Sequence, residues 1–596
     1  MNFRKNLAAA LLISMGTVAH ALDEVVVTPT RYSQSLGEVI PSVVVITREM
    51  IERSPSVNVA GLLRWHAGLD IGRTGGLGQQ TSVFVRGTNS NHTTVLINGV
   101  KMNSATTGAP ALEMIDTSVV ERIEVVKGPR STVYGSEAIG GVINIITSVG
   151  DEGKNAALHV TTGRYSTDEQ SVHLGYANDR ASGNLSFSQL ETEGFPAASE
   201  SNSNHGHDTD TFDLNISAQA GVGEFLFGFW QTDGNTEYDS FGSDLDHDRR
   251  NNVVNVAFSM PVREGWKSTL SISRMKDEIR QNQENFLGNE DFALTDRMVY
   301  DWKNDIAFSN NVLVLGASLA DEGTDSLSFG RSYKEDTQIL SVYLHESFAR
   351  DRHSLSTATR YTDHEDFDDA MTWNLEYGYY LFQGTRLFTS MGTGFRAPDS
   401  NARFGFGGNP DLKEETSRSI EAGIKHVLTP LTSVSFRIFE NKIDNLIEAI
   451  LTDPATFTYV NRNVDEVRIR GLELSLGHQS GPWDVSLEGI IQDPRNETDD
   501  MPLLRRAKRT LTGSVAYSQE QFFAQVNGLV TSERRGISDV TLPGYGLFDV
   551  SIGYHFPHVT LALKAENLFD KEYELASGYN VPGQSIFAEL QINPVQ

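Results

Sequence analysis

Three groups of residues in this 596-residue chain have types and spacing that suit chemistry. The first is acidic: Asp208, Asp210 and Asp213, then Tyr238, Asp239, Asp244, Asp246 and Asp248. Alternate carboxylates in neighbouring loops converge readily on a hard cation, because Ca²⁺ accepts about six to eight oxygens in loose geometry. His205 and His207 beside them raise a transition metal as the alternative, but the oxygen-rich surroundings favour calcium. The second group is neutral and polar. Gly75, Gly76 and Gly78 with Gln79 and Gln80, then Thr88, Asn89, Ser90 and Asn91, let backbone come close to a large polar ligand and offer it amides and hydroxyls. The third is Asp23-Glu24-Val25-Val26-Val27-Thr28-Pro29, whose three valines favour an extended strand suited to pairing with a partner's sheet. The chain has no cysteine, so it has no disulfide, thiolate metal site or cysteine nucleophile. Its serines, histidines and aspartates form no nucleophile elbow, metalloprotease spacing or phosphate loop, which argues against an enzyme.

The elements that would position these groups divide the chain. Residues 1–21 read as a secretory signal, with Arg4 and Lys5, an apolar stretch from Leu7 to Met15, and Ala19-His20-Ala21 before a cleavage site. Residues 22–31 hold the valine segment. Residues 32–150 alternate short runs of both kinds. Thr47 to Arg53 and Val57 to Trp65 predict helices capped by Thr47 and Ser56. Strands are predicted at 43–46, 83–85, 95–97, 123–126 and 142–146, with a tight hairpin at Asn98-Gly99. Residues 151–596 change to persistent two-residue alternation. Phe548, Val550, Ile552, Tyr554 and Phe556 oppose Asp549, Ser551, Gly553 and His555, and Trp373, Leu375, Tyr377 and Tyr379 oppose Thr372, Asn374 and Glu376. Many such strands suit a barrel with lipid outside and water inside, and a lipid-facing sheet must close on itself. Strands of about ten residues give roughly 20 to 22 of them. So wide a lumen needs a filler, and the N-terminal domain supplies one. With 78 acidic and 49 basic residues the net charge is −29, which argues against a nucleic-acid partner.

The motifs then carry a resemblance. Val83-Phe84-Val85-Arg86-Gly87, Val95-Leu96-Ile97-Asn98-Gly99 and the run from Val120 through Lys127-Gly128-Pro129-Arg130 to Thr147 are similar to the plug of TonB-dependent outer-membrane receptors. Gly394-Phe395-Arg396-Ala397-Pro398, Gly408 to Glu415, Glu421-Ala422-Gly423 and Ala565 to Tyr573 resemble that family's barrel signatures. The resemblance implies a transmembrane β-barrel of about 22 antiparallel strands with a small N-terminal α+β plug in the lumen, monomeric among outer-membrane lipids. It also implies a TonB box at Asp23, Glu24, Val25, Val26, Val27 and Thr28, pulled by TonB and its inner-membrane complex. Within the family, Thr74 to Gln80, Arg86 to His92 and Tyr573 to Gly583 look most like the cobalamin-transporting branch. That resemblance names Gly75, Gly78, Gln79, Asn89, Asn91 and Asn103 as contacts for the amides of vitamin B12, and Asp208, Asp210, Asp239 and Asp246 as calcium ligands. A ferric-siderophore or haem receptor is the competing expectation, although no histidine lies between Phe395 and Leu412 to ligate haem iron.

Overall fold

In the computed structural model, residues 26–27, 31–32, 34–35, 39–147, 153–240, 242–283, 290–453, 458–537 and 540–595 are described. The signal segment and Asp23, Glu24, Val25 and Thr28 lie outside these residues. The N-terminal domain is built on a five-stranded mixed sheet in the order Ser42–Thr47, Val120–Lys127, Gly141–Thr147, Thr93–Ile97, Val100–Lys101. Only Thr93–Ile97 and Gly141–Thr147 run parallel. The β-branched run predicted at 43–46 forms the first strand because Ile46 and its neighbours pack into a core with Val95, Ile97, Ile123, Val125, Ile143 and Ile145. Asn98 and Gly99 take φ of 49° and 84°, the left-handed pair that a two-residue hairpin with matching twist requires.

Two short helices pack beside the sheet. Arg48–Arg53 starts at Thr47, whose hydroxyl accepts from the Met50 amide at 3.4 Å, as predicted. The second spans Val59–Leu63, and its cap is Asn58 rather than Ser56. The Asn58 side chain accepts from the Gly61 amide at 2.9 Å. Ser56 instead presses against Gly61, where a Cβ would lie 2.8 Å from its hydroxyl.

The C-terminal region is a closed antiparallel barrel of 22 strands. Gly153–Gly163 pairs with Ser585–Val595 to shut the cylinder. Successive strands are joined by tight turns at one end, such as 179–180, 309–310 and 481–482. The long connections 196–204, 397–414 and 567–584 lie at the other end. Short turns mark the periplasmic rim of such barrels and long loops the outer rim.

The wall is apolar outside and polar inside. Phe548, Ile552 and Tyr554 are 41%, 44% and 42% exposed while Asp549 is fully buried. Trp373, Leu375 and Tyr377 likewise face out, and Thr372, Asn374 and Glu376 face the plug. Tyr176, Trp483, Phe522 and Tyr554 cluster near the short turns, at the level of one headgroup layer.

Candidate ligand-binding and coupling sites

The plug meets the outer opening with three loops, 74–80, 86–92 and 103–110. The first is pinned to the barrel wall. Gly78 has φ of +71°, and a Cβ there would lie 2.2 Å from His207 Nδ1. Gln79 is buried and donates from Nε2 to the Glu237 carbonyl at 2.6 Å. Gly75 packs against Ala197. These three predicted contact residues therefore fasten the loop to the strand ends around 195–207 and 236–237, leaving Gln80 as its exposed amide.

In the second loop Asn89, Ser90 and Asn91 are half-buried, and Asn91 Oδ1 has no partner. Asn89 Oδ1 accepts from Arg506. Asn103 is a different case. It is fully buried, its Oδ1 accepts from the Val95 amide at 2.8 Å, and its Nδ2 donates to Thr93 and Gly108 carbonyls at 2.9 and 3.0 Å. It braces the third loop from within, so the expectation that it faces a ligand is corrected.

One element above the plug escaped the sequence reading. The segment Leu503 to Ala507 folds inward, and Arg506 stacks on Phe84 at 4.0 Å while donating from Nε to the Gly87 carbonyl at 3.3 Å. Arg505 lies against Gly72, and its amide donates to the Arg535 carbonyl at 2.7 Å. Arg534 donates to the Glu574 carbonyl at 2.6 Å. Burial pushes the Arg506 guanidinium down to about 10 despite nearby Asp70 and Glu448. Four cations within 505–509 of so acidic a chain were the available signal.

The plug is held by buried ion pairs whose members are the motif residues themselves. Arg86, at φ of 49°, turns its guanidinium onto Glu421 and Glu473, each at 2.6 Å, over the Phe439 ring. Lys127 reaches Glu473 at 3.6 Å and Arg130 reaches Glu376 at 2.6 Å. Arg396 bridges Glu415 and Asp399 at 2.5 Å, and His92 meets Glu415 at 3.2 Å. Arg64 lies between Asp549 and Glu566 at 3.4 and 3.5 Å. Charges so enclosed are tolerated only because each is paired.

The acidic groups are carried by strands instead of loops. His205–Ala220, Gly223–Ser240 and Ser243–Arg263 extend far above the lipid-facing belt, and alternation sends Asp208 and Asp210 outward while Asp213 turns in and is fully buried. Asp208 pairs in register with Asn235, and Asp246 with Glu237. Asn235 Nδ2 donates to Asp246 and Asp248 at 2.8 and 2.9 Å. Asp239 sits at the hairpin tip, opposite Asp244. Asp208, Asp210, Asp239 and Asp246 thus do not converge on one coordination sphere, because outward residues of a strand are about 7 Å apart.

Among the described residues the cluster with metal-compatible spacing is His205, Asp239 and Asp244. His205 Nδ1 accepts from the Ala197 amide at 3.0 Å, so a neutral ring carries its proton on Nε2, which points at Asp244 at 3.4 Å. That tautomer supplies a donor where a metal needs a lone pair.

At the periplasmic rim Val26–Val27 forms a small antiparallel pair with Gln34–Ser35. The connecting Arg31 has φ of 58°, donates to Asp301 at 3.0 Å and lies 5.1 Å from the Tyr343 ring centre. Lys303 donates to its carbonyl at 2.9 Å. The valine segment is thereby followed, four residues on, by an arginine fastened to the barrel wall.

A closed barrel filled by a plug, with a strand-forming segment at its periplasmic mouth, defines a gated receptor of the outer membrane. The TonB-dependent receptor β-barrel model matches residues 146–568 and the TonB-dependent receptor plug model residues 35–142, and the chain belongs to this family. It is 28% identical over 93% of its length, and 92% of the relative's, to the vitamin B12 transporter BtuB of Vibrio vulnificus. To the protein of the same name from Photobacterium profundum it is 30% identical, over 95% of both chains. Among solved structures it resembles the siderophore receptor PirA of Acinetobacter baumannii, with a TM-score of 0.80 at 18% identity, covering 92% of this chain and 98% of that one.

Proposed function

We propose that this outer-membrane receptor imports a cobalamin, drawing its energy from TonB through the Val26–Val27 strand. The observation that carries the reading is the uncharged outer face of the plug. Thr74, Gln80, Asn89, Ser90 and Asn91 present hydroxyls and amides without a charge among them, which suits a large, amide-rich, near-neutral ligand. The named relatives over nearly the whole chain support it. In this reading, divalent cations such as calcium bridge the outward carboxylates Asp208, Asp246 and Asp248 and the tip carboxylates Asp239 and Asp244, stiffening the strand extensions over the ligand. Equilibrium binding of labelled cyanocobalamin to the purified, folded protein tests this directly. Saturable binding displaced by unlabelled cobalamin and indifferent to ferric siderophore supports the reading; no binding in the presence of calcium ends it.

Arg505, Arg506, Arg534 and Arg535 favour a second reading, a receptor for an anionic ferric siderophore. Such binding weakens steeply with added salt, because screening acts on charged partners, whereas cobalamin binding stays level. A salt titration therefore separates the two.

A further inference from the structure

A cavity of about 50 Å³ lies between the plug and the barrel wall, beneath the first plug loop. Leu77 of that loop borders it on the outer side, with Phe195 at the end of a wall strand and Pro582 in the long connection 567–584. Pro55, Val57 and Phe587 complete its apolar lining. Phe195 is itself held against the Tyr165 ring, with centres 5.0 Å apart. An enclosed water needs about 10–15 Å³ of such space, so the cavity has room for three or four waters, or for one molecule of that many heavy atoms.

Arg73, the last residue of the plug strand Leu69–Arg73, lines this cavity. It is only 7% exposed, and its Nε is enclosed without a partner. Among the described residues no ion pair or hydrogen bond reaches its guanidinium. The contrast with other plug arginines is sharp, since Arg86 and Arg130 each meet a carboxylate at 2.6 Å. Glu566 also borders the cavity, but it reaches Arg64 at 3.5 Å, as Asp549 does at 3.4 Å. Neighbouring hydroxyls are engaged as well. Thr167 donates to the Arg164 carbonyl at 2.8 Å, Thr192 to the Tyr165 carbonyl at 3.0 Å, and Ser585 to the Gly583 carbonyl at 3.0 Å. An enclosed cation without a paired anion is unfavourable, so the site is short of one negative charge.

We propose that this cavity binds a small aliphatic monocarboxylate, with its two oxygens on the Arg73 guanidinium and its alkyl group against Val57, Leu77 and Phe195. A guanidinium offers parallel N–H donors that match a carboxylate in pairs. The apolar lining selects the class. A dianion such as sulfate brings more charge and more oxygens than one arginine satisfies, and it loses its hydration on entry. Bound beneath Leu77, the carboxylate supports the loop 74–80 from below, while Gly75 and Gln79 fasten it to the wall. The site is separate from the uncharged outer face of the plug, and it stands whether or not the transported ligand is a cobalamin.

Folded protein in detergent would be titrated at fixed ionic strength with sodium acetate, with its neutral isostere acetamide, and with sodium sulfate. Calorimetry reads binding, and hydrogen exchange in peptides covering 74–80 reads the loop. Acetate should bind saturably at one site and slow exchange in that loop. R73Q should weaken acetate binding by about tenfold or more, the value of one charge-assisted bond, and abolish the effect on exchange. R274Q, an outward arginine paired with Asp296 on the wall, should bind as the wild type does. Heat-modifiable mobility on a gel reports whether each barrel is folded. V57F, which fills the cavity without touching a charge, replaces R73Q if that variant does not fold, and it too should lose acetate. Acetate affinity unchanged in the folded variant overturns the proposal. So does acetamide or sulfate binding as tightly as acetate, no saturable acetate binding by the folded wild type, or binding that leaves exchange in 74–80 unaltered.

Discussion

Arg86 ties the plug to the barrel wall. It comes from a plug loop, and its two partners, Glu421 and Glu473, come from separate barrel strands. Replacing it with methionine leaves Glu473 with only Lys127 at 3.6 Å and Glu421 with only Arg437 at 2.5 Å, which should cost up to about 3 kcal/mol. Urea unfolding followed by tryptophan fluorescence checks this; an unchanged midpoint would show that the plug is seated by other contacts. Asp70 supplies the pH dependence. It lies in the plug strand Leu69–Arg73, where burial lifts its pKa to about 6 against the pull of Arg534 and Arg506. A carboxyl with a raised pKa in the folded state stabilises it below the unfolded value near 3.8, and that contribution is lost as pH rises through 6. Between pH 4 and 6 the wild type should therefore lose of the order of 3 kcal/mol relative to D70N. Melting temperatures of both proteins across that range provide the comparison, and parallel curves would contradict it. Neither role could be read in the sequence, since Arg86 and Asp70 acquire their surroundings from residues hundreds of positions away.

At the level of elements, the valine segment offers the sharpest test. Val26→Pro removes a strand donor and fixes φ, so partner pairing should fail while ligand binding at the opposite rim persists. Energised uptake in cells against binding in membranes separates the two, and normal uptake by V26P would refute the coupling role. Short elements were well legible wherever the signal is local. Thr47 caps its helix, Asn98-Gly99 makes its hairpin, and the strand periodicity predicted the outward and inward faces of Tyr545–His555. Legibility failed where a wall decides. Gln79 is a polar residue in a polar stretch, and nothing nearby in sequence says that the distant Glu237 carbonyl takes up its amide; Asn103 is taken up by Thr93, Val95 and Gly108 of the plug itself. The acidic runs misled for a related reason. Their polar composition suggested loops, yet the strands simply continue beyond the lipid, where outward positions need not be apolar.

For the whole molecule, the inversion of polarity explains why the lumen needs its plug. Inward-facing Glu376, Glu415, Glu421 and Glu473 are all buried by contact with plug cations or by neighbouring barrel cations. A chain lacking residues 32–150 should form an open, water-filled and strongly cation-attracting pore. Single-channel conductance in planar bilayers measures this, and a silent barrel would mean that loops alone can seal it.

The pairing of Gly153–Gly163 with Ser585–Val595 also imposes a sequence of events in time. The first strand of the wall is synthesised early and cannot meet its neighbour until the last one exists. Until then the sheet keeps two bare edges, each a template for pairing with a wrong chain. Non-local closure of this kind is intrinsically slow. The plug is made before any strand of the wall, yet its ion pairs to Glu376, Glu421 and Glu473 form only when strands far apart in the chain stand around it. The seam therefore joins two tasks of assembly: closing it removes the last bare edges as it completes the wall around the plug.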